Sequence, residues 1–260
     1  MKSSKVMALA IVGIMIASGF FMLVPSGAKA ALLPHPIVLT SSPSNPVQVG
    51  KEVFPTSYWD STYIIETSDF NTGSGYIGWY RNGTGAAGVG TGYIGYETST
   101  DGVAWTKYNL IAGNPLLSLH WEHPYVVHVD SRYYMFVKNV TDGNIYLCNL
   151  TANHTNPVIM NGGAPVYYHN LTSSVWDYQV YNPAVVVVGN TWYMMLESKH
   201  TTGYGNNTFQ IGFTYSTFAE MNWTAHRKIY AMINQAGNPY LTYVPERNAL
   251  LSVYGDISGA

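Results

Sequence analysis

Two stretches of the chain repeat one pattern, and that repeat limits the fold more than anything else in the sequence. The first, Trp121 to Asn139, reads WEHPYVVHVDSRYYMFVKN, and the second, Val180 to Ser198, reads VYNPAVVVVGNTWYMMLES. Each has a proline, an apolar run, a tight polar turn, and an aromatic pair that leads a second apolar run. Pro124 and Pro183 are 59 residues apart. A period of that length in a strand-rich chain points to the blades of a β-propeller.

A second repeat supports the first. Tyr93-Ile94-Gly95-Tyr96 leads to Ser99-Thr100-Asp101-Gly102-Val103-Ala104-Trp105 and on to Gly113-Asn114-Pro115. Gln210-Ile211-Gly212-Phe213 leads to Ser216-Thr217, Trp223 and Gly237-Asn238-Pro239. The weakest copy of the opening unit is Val53-Phe54-Pro55. These units predict blades over about 52–116, 121–168 and 176–239, with a fourth starting at Tyr240. About three and a half blades are readable, in an all-β domain over 51–260 after a Pro/Ser-rich lead-in over 31–50. Runs rich in Val, Ile, Tyr, Phe and Trp, bounded by Gly, Asn, Asp and Pro, give the strands. After residue 30 no stretch carries a helical stripe.

Charged residues make up 10% of the chain, against roughly 25% in ordinary soluble domains. The net charge is −2 with no basic stripe, which argues against nucleic acid as a partner. Cys148 is the only cysteine, so no intrachain disulfide forms, and its place in a strand-like run reads as a small buried hydrophobe. Residues 1–30 combine Lys2 and Lys5, an apolar run from Val6 to Val24, and Ala28-Lys29-Ala30. That order reads as a secretory signal peptide and implies a secreted or cell-surface protein. An uncleaved membrane anchor is the alternative. Sequons at Asn82, Asn139, Asn149, Asn153, Asn170, Asn206 and Asn222 allow glycosylation in a host that glycosylates exported proteins.

Two elements carry a resemblance to a known group. Ile94 through Trp105 resembles the recurring Ile-Gly-Tyr…Ser-x-Asp-Gly-x-x-Trp blade element of the five-bladed propeller glycosidases of family 43. Trp121-Glu122-His123-Pro124-Tyr125, followed by Tyr133-Tyr134-Met135-Phe136-Val137, resembles the Glu-Ala-Pro-Tyr segment of arabinan-cleaving members. More loosely, it resembles the Trp-Glu-Cys-Pro of invertase-like relatives in family 32. Family 62 shares the architecture. The resemblance implies a five-bladed β-propeller, carbohydrate as the partner, no cofactor, and Glu122 as the general acid.

Such chemistry needs a second carboxylate as base or nucleophile, because the glycosidic bond breaks through an oxocarbenium-like state. The Asp-Pro that supplies it in the family is missing: Phe54-Pro55 and Asn182-Pro183 stand in the corresponding places, and an amide has no titratable proton. Asp60 and Asp177 are the candidates for the second carboxylate, each near the start of a blade. Glu197 lies at a second-strand end and Glu246 begins the fourth unit, and either could face a central cleft. Strand alternation puts His123 on the opposite face from Glu122. A lone His there, like His128, reads as a polar surface residue. Asp101 reads as a turn residue, and Trp105 and Trp223 as core. No spacing resembles a zinc or calcium site. Two functions follow: an exported glycosidase, or a non-catalytic propeller that binds glycan.

Overall fold

In the computed structural model the described residues are 11–15, 20–23, 63–83, 93–107, 120–150, 154, 156–172, 176–200, 208–231 and 236–256. They contain sixteen β-strands, three short 3-10 turns and no α-helix. The strands are β1 (Ile11–Met15), β2 (Phe20–Leu23), β3 (Tyr63–Asn71), β4 (Tyr76–Gly83), β5 (Tyr93–Ser99), β6 (Trp105–Lys107), β7 (Trp121–Val129) and β8 (Arg132–Asn139). They continue with β9 (Ile145–Leu150), β10 (Pro157–Ile159), β11 (Gln179–Val188), β12 (Thr191–His200), β13 (Thr208–Thr217), β14 (Lys228–Ala231), β15 (Ala236–Val244) and β16 (Ala249–Asp256).

Four four-stranded sheets result. Three are antiparallel meanders in chain order, β3 to β6, β7 to β10 and β11 to β14. The fourth is the β15–β16 hairpin extended by β1, which runs parallel to β16, and then by β2. The two short N-terminal strands thus come from the segment read as an export signal. The inner strands β3, β7, β11 and β15 pack against one another in that order, which is propeller geometry. The described residues account for four blades of the expected five.

Three apolar clusters fill the spaces between blades. Trp79, Ile94, Met135, Val137 and Cys148 join blades one and two. Phe136, Leu147, Trp192, Leu196 and Trp223 join blades two and three. Met195, Ile211, Phe213, Leu241 and Leu250 join blades three and four. Alternation along the strands sends side chains to each neighbouring blade, so the sheets of blades two and three are buried on both faces. Cys148 is fully buried, as its sequence context indicates. Burial pushes its thiol up to about 12.

Trp223 is also fully buried, and its indole N–H donates to the Trp192 carbonyl at 3.2 Å. The other half of its cassette depends on Gly212. A Cβ built there would come within 1.9 Å of the Trp176 ring, so only glycine lets that indole lie flat on the strand. Asp101 is a turn residue as expected: its Oδ1 accepts the backbone N–H groups of Val103 and Ala104, both at 2.8 Å.

One blade boundary differs from the sequence reading, and one lies outside the described residues. The innermost described strand of blade one is Tyr63–Asn71, while Phe54-Pro55 lies outside the described residues. Gly237-Asn238-Pro239 opens blade four within β15 rather than closing blade three. The period runs from one inner strand to the next, so that triplet is a further copy of the Pro124 and Pro183 unit.

Candidate active site

Each inner strand carries a one-residue bulge near its start, always at the same ladder position. Two residues on the inner strand face one on its partner between Ile65 and Ser68, Glu122 and Tyr125, Tyr181 and Ala184, and Gly237 and Tyr240. The first bulged residues are Glu66, His123, Asn182 and Asn238. His123, Asn182 and Asn238 have φ values of 55°, 45° and 50°. This left-handed region suits glycine best and admits Asn and His at modest cost. Proline follows each of the three, and its missing N–H costs nothing at a bulge. Side chains held in such a conformation point to a role for those side chains.

The bulge overturns the expected placement of His123. The extra residue breaks strict alternation, so His123 and Glu122 lie together and both are buried. Glu122 forms a buried ion pair through Oε1 with Arg81 of β4. Its Oε2 lies 3.5 Å from His123 Nε2. His123 Nδ1 contacts Asn182 Oδ1. The Asn182 amide donates to Glu197 Oε2 at 3.1 Å and to Asn238 Oδ1 at 2.7 Å. The Asn238 backbone N–H also donates to Glu197 Oε2, at 2.8 Å. Glu122 and Glu197, both buried, are therefore linked through one imidazole and one amide, with contributions from all of blades one to four.

The cross-strand ladder explains the convergence. Arg81, Lys138 and Glu197 pair with Ile65, Glu122 and Tyr181 respectively, so they hold equivalent places on the second strands. Each reaches forward to the inner strand of the next blade. Arg81 reaches Glu122, the Lys138 ammonium lies 3.5 Å from the Tyr181 ring centre, and Glu197 accepts from Asn238. Burial, followed by the charges of Glu197 and Glu122, pushes the Tyr181 phenol up to about 12.

The remaining candidates lie elsewhere. Asp177 is fully buried but is not brought to this cluster. It accepts from Tyr167 Oη at 2.8 Å and pairs with Arg227 at 3.1 Å. Those bonds tie the segment before β11 to the segment before β14. Asp60 lies outside the described residues. Glu246 is exposed in the Pro245–Arg247 turn. His128 is exposed and stacks on Tyr133. Among the described residues no group of three or more His, Cys, Asp and Glu side chains is placed to hold a metal ion.

The sequence reading passed over Glu66, Arg81 and Asn238. Spacing could have found two of them. His123 and Asn182 are 59 residues apart, Asn182 and Asn238 are 56 apart, and one comparable period before His123 falls at Glu66.

With this geometry in view, the fold has clear relatives among solved structures. A family 117 glycoside hydrolase of the marine bacterium Zobellia galactanivorans superposes with a TM-score of 0.53 at 10% identity, covering 75% of this chain and 67% of that one. The family 32 β-fructofuranosidase of Bombyx mori gives 0.55 at 12% identity, covering 70% of this chain and 41% of that one. An exo-1,5-α-L-arabinanase from a bovine ruminal metagenomic library gives 0.51 at 11% identity, covering 75% and 74%. The chain therefore shares the fold of these structures, and it spans less than half the length of the silkworm enzyme. No protein-family model and no curated sequence matches it.

Proposed function

We propose that the chain is an exported glycoside hydrolase acting on arabinan- or xylan-type polysaccharide, with its chemistry at the start of the inner strands. The observation that carries this reading is the buried link from Glu122 through His123 and Asn182 to Glu197. It brings two carboxyl groups from separate blades into one polar cluster, the basic need of glycosidic bond cleavage. Arg81 engages Glu122 Oε1, so in this reading Oε2 is the oxygen that delivers the proton to the leaving group. As the bond between the anomeric carbon and that oxygen breaks, the proton passes to the leaving sugar. Glu197 then takes a proton from the water whose oxygen adds to the anomeric carbon.

A non-catalytic glycan-binding propeller is favoured by one specific feature. The bulges of blades three and four carry Asn182 and Asn238, whose amides cannot exchange protons. Hydrolysis of p-nitrophenyl pentosides, arabinan and xylan by the parent protein, Glu122→Gln and Glu197→Gln separates the two. The enzyme reading expects each substitution to lower kcat at least a hundredfold. Activity unchanged by Glu122→Gln removes the acid assignment, and no hydrolysis by the parent protein favours the binding module.

A further inference from the structure

A cleft of about 360 Å³ opens between blades two and three, next to the axial cluster. Its lining includes Lys138, Asp142, His169, Tyr178, Gln179 and Tyr181. Two of these are ladder neighbours of the paired carboxylates: Lys138 pairs with Glu122 across β7–β8, and Tyr181 pairs with Glu197 across β11–β12. The cleft therefore borders the candidate active site through these two ladder pairs.

The walls are built rather than incidental. The β8–β9 turn is closed by Asn139 N–H donating to the Asn144 carbonyl and Gly143 N–H donating to the Asn139 carbonyl, both at 2.9 Å. Asp142 Oδ1 accepts the Asn144 N–H at 3.0 Å. Across the cleft, the His169 backbone N–H donates to Asn144 Oδ1 at 3.1 Å. The ring of His169 lies against Gly143, where a Cβ would come within 3.0 Å of it. His169 Nδ1 donates to the Tyr178 carbonyl at 2.7 Å, so the neutral ring keeps Nε2 as an acceptor. Tyr181 Oη donates to Gln179 Oε1 at 2.8 Å, which leaves the Gln179 amide NH₂ as a donor.

The chemistry of this lining selects a ligand class. It offers the Asp142 carboxylate, which also accepts from the Tyr146 hydroxyl, an imidazole acceptor, an amide donor and two phenol rings, beside the side chains of Val140 and Val180. The Lys138 ammonium is already seated over Tyr181. Mixed donors and acceptors beside aromatic rings suit the hydroxyls and ring face of a neutral sugar. The volume lies at the small end of ligand sites, which run from about 300 to 1,000 Å³, and suits one monosaccharide unit.

We infer that this cleft is a subsite for one neutral sugar unit of a glycan whose neighbouring unit lies at the axial cluster. The inference rests on the carbohydrate reading above and adds a chain-length requirement: two or more linked units bind better than one. The test is calorimetric titration of Glu122→Gln protein with α-1,5-arabinotriose, β-1,4-xylotriose, arabinose and xylose. It is repeated with His169→Gln and Gln179→Ala added singly, each confirmed folded by its thermal transition.

The expected result is that one trisaccharide binds at least tenfold more tightly than its monosaccharide, and that both added substitutions abolish this advantage. Equal affinity for trisaccharide and monosaccharide, no detectable binding of any probe, or an advantage that survives both substitutions overturns the subsite. Hydrolysis by the parent protein is scored separately. A protein that binds trisaccharide through the cleft but hydrolyses nothing loses only the catalytic reading. One that hydrolyses aryl glycosides with no cleft-dependent preference loses only the subsite.

Discussion

Replacing Arg81 with methionine removes the positive half of an ion pair that joins the second strand of blade one to the inner strand of blade two. Both side chains are nearly sealed, at 4% and 7% exposure. Glu122 would then be left buried without that partner, with His123 Nε2 3.5 Å from its Oε2. Breaking a buried pair from one side costs about 3–5 kcal/mol, whereas replacing both partners with apolar groups of similar volume is often close to neutral. At about 2–4 °C per kcal/mol for a domain of this size, Arg81→Met should lower the melting temperature by roughly 6–20 °C. Arg81→Met combined with Glu122→Leu should recover most of that loss. Urea denaturation followed by tryptophan fluorescence on the parent, both single variants and the double variant closes the cycle, with the m-value checked for constancy. The coupling energy should approach about 3 kcal/mol. A value under about 0.5 kcal/mol, within the additivity error for independent sites, would refute the claim that this pair locks the two blades together.

Gly212→Ala forces a methyl group into the Trp176 ring and should cost about 1–3 kcal/mol through overpacking, read as a lower urea midpoint. Asp177→Asn should lower stability by weakening the links to Arg227 and Tyr167 while leaving sugar binding and any hydrolysis unchanged; a selective loss of activity would return Asp177 to the site. Cys148 should react with Ellman's reagent only at the rate of unfolding, because its thiol is fully buried and pushed up to about 12; fast native-state labelling would contradict that burial. Burial and the nearby His128 hold the His154 imidazole below its ordinary value. The unfolded chain therefore binds more protons below about pH 6.5, and stability should fall as the pH drops through that range. His154→Gln should flatten that part of the stability–pH curve.

Much of the architecture was legible because hairpins such as Tyr125–Lys138 and Ala184–Ser198 combine β-branched and aromatic runs with polar turns. Glu122 was legible because it is anchored to a proline that repeats. What was missed involves bulges, short strands and contacts distant in sequence. The face of His123 was misread because one inserted residue reverses strand parity, which a strict two-residue period cannot register. Glu66 was missed because Thr67, not proline, follows it, so the blade-one copy lacks the feature that marks the others. The outer strands Trp105–Lys107 and Pro157–Ile159, three residues each, are too short to show a period. Asp177 looked available because its partner Arg227 lies 50 residues further along, and no local pattern announces that pair.

The forward reach of the second strands gives the propeller a direction and a seam. Arg81, Lys138 and Glu197 each hand polar contact to the next blade, but the corresponding place on β16, opposite Gly237, is Gly255, which has no side chain to hand on. Sterics do not impose that blank, since a Cβ there would meet nothing nearer than 3.7 Å. The molecule can thus be pictured as a chain of clasps with its last clasp unfitted. Residue 255 is the natural place to install one.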